Sequence, residues 1–277
     1  MKNVVVRTIS GIGFIAVVLG ALLWCRFSFA ALILWITSAM MYEFFRMTMG
    51  KSYWFSRLLT ILSACILFLL TFLSRSYECI PSKMVILAVI PVFIVMIDSL
   101  YVKDKTEFGK FANLYTAMLY IGIPMALTNL AVISPDGTYS GLNMVCFFAI
   151  IWGSDVGAYC FGITLGQKYG RKLFPAISPK KSWIGFWGGL LTAVLIAVAL
   201  HYLGIMELPW YHCIILAVLM NVTGVYGDLI ESQWKRYYEI KDSGKGIPGH
   251  GGYLDRFDSA LTSIPMGIIY LELINAL

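Results

Sequence analysis

Residues Ile184 to Leu203 read IGFWGGLLTAVLIAVALHYL, an unbroken run of twenty residues without a single Asp, Glu, Lys or Arg. That length meets the requirement of about 20 residues for a helix crossing the hydrocarbon core of a bilayer. The absence of two-residue alternation excludes the strands of a membrane barrel. Outward from this stretch, comparable runs occupy Ile9–Cys25, Phe27–Phe44, Leu58–Leu73, Met84–Tyr101, Phe111–Ile133, Leu142–Phe161, Trp210–Ile230 and Ser259–Leu277. The expectation is an all-α, polytopic integral membrane protein with about nine transmembrane helices, forming a single transmembrane domain over 1–277. Composition agrees: 59% of the 277 residues are hydrophobic and 13% charged, with a mean hydropathy of +0.79. An average globular domain carries about 25% charged residues, so the deficit marks surface that faces lipid.

The charges that remain are sorted by side. With the N-terminus placed inside, alternating spans assign Arg26, Arg75 and Lys83 to the outer side and the other eighteen of the twenty-one Lys and Arg residues to the inner side. The positive-inside tendency supports that orientation. The chain therefore reads as a multi-pass protein of the cell (plasma or inner) membrane, with its N-terminus and polar loops cytoplasmic and its C-terminus on the opposite side. Its net charge of +6 is a cytoplasmic excess that attracts anionic headgroups and anionic ligands. Membrane lipids are expected partners and nucleic acid is not. Lys2 and Arg7 ahead of an apolar run resemble a secretory signal, but the run is longer than a typical signal core and many spans follow, which favours an uncleaved first helix. The six cysteines are scattered singly, without a CxxC pair, and read as small buried hydrophobes rather than metal ligands.

Polar chemistry concentrates between Gly227 and Ser259, in GDLIESQWKRYYEIKDSGKGIPGHGGYLDRFDS. Five glycines (Gly244, Gly246, Gly249, Gly251, Gly252) lie among Asp228, Glu231, Asp242, Asp255 and Asp258 and among Lys235, Arg236, Lys241 and Arg256. Glycines let backbone amides approach phosphates, cations grip the oxygens, and clustered carboxylates beside a phosphate suit a hard divalent cation, Mg2+ above all. Asp255 and Asp258, three apart, are expected on one helical face opening the last span. A plainer reading stays open: a polar loop in which Asp255 caps a helix and Lys235 and Arg236 anchor another at the headgroups. Glu43, near the inner end of the second span, reads as interfacial. His201 and His212, away from this loop, are assigned no role.

The pattern Ser232-x-x-Lys235-Arg236, Lys241-Asp242-Ser243-Gly244 and Pro248-Gly249-His250-Gly251-Gly252-x-x-Asp255-Arg256-x-Asp258 resembles the signature of the CDP-diacylglycerol synthases, or phosphatidate cytidylyltransferases. Trp234 and Tyr253 depart from it in hydrophobic slots. A second block, Ser154-Asp155-x-Gly157-Ala158-Tyr159-x-x-Gly162 with Ser178-Pro179-Lys180-Lys181-Ser182-Trp183-x-Gly185, is similar to the family's upstream motif, with Ile184 where Glu or Gln is common. The resemblance implies a catalytic signature over 227–259 supported by 154–185, and transfer of CMP from CTP to phosphatidate with release of pyrophosphate. It implies Asp228 and Asp255 as Mg2+ ligands, with Asp258 and Asp242 as further candidates and a second cation left open. Lys235, Arg236, Lys241 and Arg256 would clamp phosphates, and His250 would bind a phosphate or donate a proton. Asp155, Ser178, Lys180, Lys181, Ser232, Gly249, Gly251 and Gly252 would line the substrate site. Oligomeric state stays open, a homodimer included. Two other classes remain: a lipid kinase or other nucleotide-dependent phosphotransferase, and a transporter, whose two matching interrupted halves are not evident here.

Overall fold

The computed structural model describes residues 2–77, 80–102, 107–249 and 251–277, with side chains from Thr8 onward. It divides into two compact units, one of Met1–Ser140 with Ile240–Phe257 and the other of Gly141–Glu239 with Asp258–Leu277.

The first unit begins with α1 (Lys2–Trp24) and α2 (Arg26–Met49), separated by Cys25 alone. Cys25 is extended; its Sγ accepts from the Ser28 amide while the Ser28 hydroxyl accepts from the Cys25 amide, closing a reciprocal cap. Three more helices follow: α3 (Trp54–Ser76), α4 (Ser82–Tyr101) and α5 (Phe108–Val132). The first turns of α4, Ser82–Val89, are tightened to 3-10 geometry ahead of Pro91, which has no amide to give to an α-helical bond. A π-turn at Met118–Gly122 in α5 likewise precedes Pro124. Large side chains fill the interior, among them Phe29, Phe44, Phe45, Phe68 and Phe111. Buried Asn129 of α5 ties into α3 by donating to the Phe68 carbonyl and the Thr71 hydroxyl. The stretch Ile240–Phe257 ends in a single helical turn, α9 (Leu254–Phe257).

In the second unit α6 (Leu142–Tyr169) passes through a π segment at Gly162–Gly166 into a short antiparallel hairpin, β1 (Lys172–Phe174) and β2 (Ser178–Ser182). Then come α7 (Trp183–Tyr202), α8 (Trp210–Tyr237) and, beyond the residues given to the first unit, α10 (Ala260–Leu273). Gly185, Gly189, Ala193 and Ala197 recur every fourth residue on the buried side of α7. Their small size lets α6 approach at backbone distance: a Cβ on Gly185 would sit 3.0 Å from the Ala158 carbonyl oxygen and one on Gly189 2.9 Å from that of Ser154. Such contacts replace hydrophobic driving force where lipid is the solvent.

Among the described residues, seven helices, α2 to α8, are long and apolar enough to cross a membrane. The chain is thus an all-α, polytopic membrane protein, and the two remaining expected spans fall on α1 and α10. The last expected span, Ser259–Leu277, is trimmed at both ends: Asp258 and Ser259 form a turn, and the 14-residue α10 stops at Leu273. A helix of that length rises about 21 Å, against a hydrocarbon core of about 30 Å. Hydropathy had extended the span because it does not register where backbone hydrogen bonding ends.

Candidate active site

The helix α8 runs on to Tyr237, past the expected end at Ile230. Its last turns place Asp228, Glu231, Ser232 and Lys235, spaced three and four apart, on one face. Ser232 Oγ donates to Asp228 Oδ1 at 3.2 Å, and Lys181 Nζ, from β2, lies 2.5 Å from Asp228 Oδ2. Glu231 is fully buried, at 0% exposure, and is ion-paired through Oε2 to Lys235 one turn later. Lys235, expected as a phosphate clamp, is therefore engaged with its own helix. Arg236 is exposed and its Nε donates to the Ile177 carbonyl at 3.3 Å, tying the end of α8 to the hairpin. On that hairpin Ser178 pairs with Phe174 and Lys180 is exposed, while Ser182 caps α7 by accepting from the Gly185 amide. Asp155 is exposed on α6.

Asp258 lies in the turn just before α10. Its Oδ1 accepts from the Ser259 amide at 2.7 Å. Enclosure by protein, and then the charges of Asp228, Glu231 and Asp155, push its carboxyl well above the usual aspartate range. Three elements thus deliver four carboxylates into one electrostatic neighbourhood. A group raised in this way stabilises the fold fully below the ordinary carboxylate pKa of about 4 and loses that contribution as pH rises through its folded value. Asp258→Asn is expected to raise the unfolding midpoint of chelator-treated protein at neutral pH, with the gain shrinking toward about pH 4. A thermal series in detergent checks this, and a shift of equal size at every pH would count against it.

The glycine-rich loop belongs to the first unit. Asp255 sits in the first turn of α9, and its Oδ2 accepts three hydrogen bonds: from the Ser243 amide at 2.9 Å, the Ser243 hydroxyl at 2.9 Å and the Gly252 amide at 2.8 Å. It closes the loop upon itself rather than capping the helix from the N-cap position. Asp255 and Asp258 do not share a helical face, because α9 ends at Phe257. Gly249 and Gly251 hold positive φ, at 75° and 87°, a conformation that only glycine adopts without strain. Ile247 donates to the Gly251 carbonyl across this turn at 2.9 Å. Lys241, Asp242 and Arg256 are exposed, Gly252 is buried, and His250 lies outside the described residues.

Glu43 corrects the sequence reading most. Far from being interfacial, it is 6% exposed, and its Oε2 accepts the Leu254 amide at 3.0 Å, capping α9 from another helix. The signal was present in the sequence: Glu43 is the one acidic residue in α2, and a lone carboxylate within an apolar helix calls for a partner.

Sequence comparison supplies the remaining observation: residues 5–274 match the model of the Cytidylyltransferase family. The chain belongs to that family. Among curated proteins, this cytidylyltransferase is 37% identical over 196 residues to the phosphatidate cytidylyltransferase of Bacillus subtilis (strain 168), covering 70% of each chain. It is 34% identical over 175 residues to the proteins of that name from Staphylococcus epidermidis (strain ATCC 12228 / FDA PCI 1200) and Staphylococcus aureus (strain COL). Those matches cover 63% of this cytidylyltransferase and 64% of the staphylococcal chains. Among the described residues, no three Asp, Glu, His or Cys side chains converge closely enough to hold a metal ion as they stand. Lys181 already neutralises Asp228, and Lys235 neutralises Glu231.

Proposed function

We propose that this cytidylyltransferase transfers CMP from CTP to phosphatidate, forming CDP-diacylglycerol and pyrophosphate. The observation that carries the reading is the ion-paired cluster at the polar end of α8, Asp228 with Lys181 and Ser232, within a chain of this family whose relatives bear that activity in their names. The phosphate oxygen of the lipid attacks the α-phosphorus of CTP, and the bond from that phosphorus to the bridging oxygen breaks. Pyrophosphate departs with the electron pair.

A phosphomonoester is already largely dianionic near neutral pH, its second pKa being about 6, so the nucleophile needs little help from a base. The barrier is repulsion between two anions. Lys181 and Lys180 on the hairpin and Arg236 at the end of α8 meet phosphate oxygens, and Lys181 exchanges Asp228 for a phosphate as substrate arrives. Asp228, with Asp155, Glu231 and Asp258 nearby, would hold Mg2+. All four offer hard oxygen donors, and a dication would relieve the mutual repulsion that adds to burial in raising the Asp258 carboxyl. When bound, Mg2+ supplies charge neutralisation for the leaving pyrophosphate. The Lys and Arg partition supports placing this end of α8 and the glycine-rich loop on the cytoplasmic side.

Incubation of the purified chain with CTP labelled at the α-phosphorus, phosphatidate and Mg2+ tests the proposal. Label should enter a lipid and unlabelled pyrophosphate should be released. Release of CDP without labelled lipid would instead mark a kinase, and labelled lipid absent under conditions where CTP binds would overturn the reading.

A further inference from the structure

Three of the five loop glycines meet Glu43. A Cβ on Gly244 or on Gly252 would collide with its carboxylate, and one on Gly246 would lie 3.1 Å from Oε1. None of these three adopts a positive φ, in contrast to Gly249 and Gly251. Their lack of a side chain is therefore required by what fills the space beside them, not by backbone conformation: Glu43 at Gly244, Glu43 together with Ser243 Oγ at Gly252, and the Tyr253 ring ahead of Glu43 at Gly246. The same carboxylate holds the Leu254 amide at 3.0 Å, and its Oε2 lies 3.5 Å from Ser243 Oγ, whose proton goes to Asp255. Glu43 and Asp255 thus grip the loop from two sides: Asp255 joins residues 243 and 252, and Glu43 fixes the start of α9 and fills the hollow between the glycines.

We propose that Glu43 is a positioning residue for CMP transfer, a buried brace from α2 around which the glycine-rich loop is wrapped before substrate arrives. The inference rests on the functional reading above. A loop held in shape in advance spares the ordering that would otherwise accompany each substrate encounter, and small displacements of such a loop are costly to rate. Glu43 touches no substrate in this role; it acts through the loop.

The test uses the full-length protein in detergent or lipid discs and follows CMP transfer, the thermal unfolding midpoint and amide exchange over 243–254. Glu43→Ala should lower kcat by about 10²-fold, with faster exchange confined to that segment. Glu43→Gln keeps the shape and an oxygen for the Leu254 amide and should recover most of the loss. Gly244→Ala should impair the wild-type background yet add little to Glu43→Ala, because the atom it strikes is gone. Wild-type kcat in Glu43→Ala, exchange rising throughout the chain with no rescue by Gln, or additive losses in the double variant would each overturn the brace. Should the wild-type chain form no CDP-lipid, the functional reading fails separately. Exchange over 243–254 and the coupling of the two substitutions in the unfolding midpoint then decide whether Glu43 braces the loop.

Discussion

Asp228→Asn should reduce CMP transfer by about 10²–10³-fold while leaving the protein folded. The side chain is about as exposed as Lys181, at 31% against 26%, and its loss opens no cavity because Asn has nearly the same shape. What disappears is the charge. Without it Lys181 has no counter-ion at 2.5 Å, the Ser232 hydroxyl faces a neutral acceptor, and the cluster proposed to bind Mg2+ loses a ligand. Rates measured across a Mg2+ titration should show a lowered maximum as well as a shifted midpoint. Full recovery at high Mg2+ would reduce Asp228 to a site that merely concentrates the ion, and an unchanged rate would remove it from the chemistry.

The largest effect on stability is expected from Lys235→Met. Glu231 has no exposed surface, and removing the cation beside a buried carboxylate typically costs about 3–5 kcal/mol, because the remaining charge is stranded in a medium of low polarity. Adding Glu231→Gln should return most of that stability, since a neutral buried pair of similar volume avoids the charge altogether. Unfolding of the single and double variants in detergent measures both. The double variant also separates two roles for Lys235. If its stability returns and its transfer falls no further than in Glu231→Gln alone, Lys235 serves the fold of α8; if transfer falls below that of Glu231→Gln, Lys235 also meets a phosphate. A Lys235→Met protein as stable as wild type would contradict the ion pair itself.

Much of this was legible in the sequence, and the gaps have physical causes. Uncharged runs such as 184–203 announce membrane helices because nothing else tolerates so little polar surface. The same runs locate helix ends poorly: α8 continues through Ser232 and Lys235 by i,i+4 pairing that a hydropathy window does not see, and α10 stops short of Leu277. The resemblance selected Asp228, Ser232 and Lys181 without revealing that Lys181 meets Asp228, since β2 and α8 are far apart in the chain. Glu43 was passed over for the same reason, more than 200 positions separating it from Leu254 (|i−j| = 211). The glycines invited a phosphate-binding explanation, yet only their neighbours in space distinguish two that turn the chain from three that make room for side chains, Glu43 among them.

The assignment of Ile240–Phe257 to the unit begun by residues 1–140 bears on how the protein is made. Domains generally form as units, in the order in which their residues leave the ribosome. Here the closing piece of the first unit is translated only after residues 141–239, which belong to the second. Helix α2 must therefore enter the bilayer with the Glu43 carboxylate still waiting for the backbone that will cover it, and it stays so while six further helices are synthesised. Through that interval the nascent chain carries a polar group in an apolar helix, the sort of defect that membrane quality control is suited to detect. Completion of the glycine-rich loop then ends that exposure.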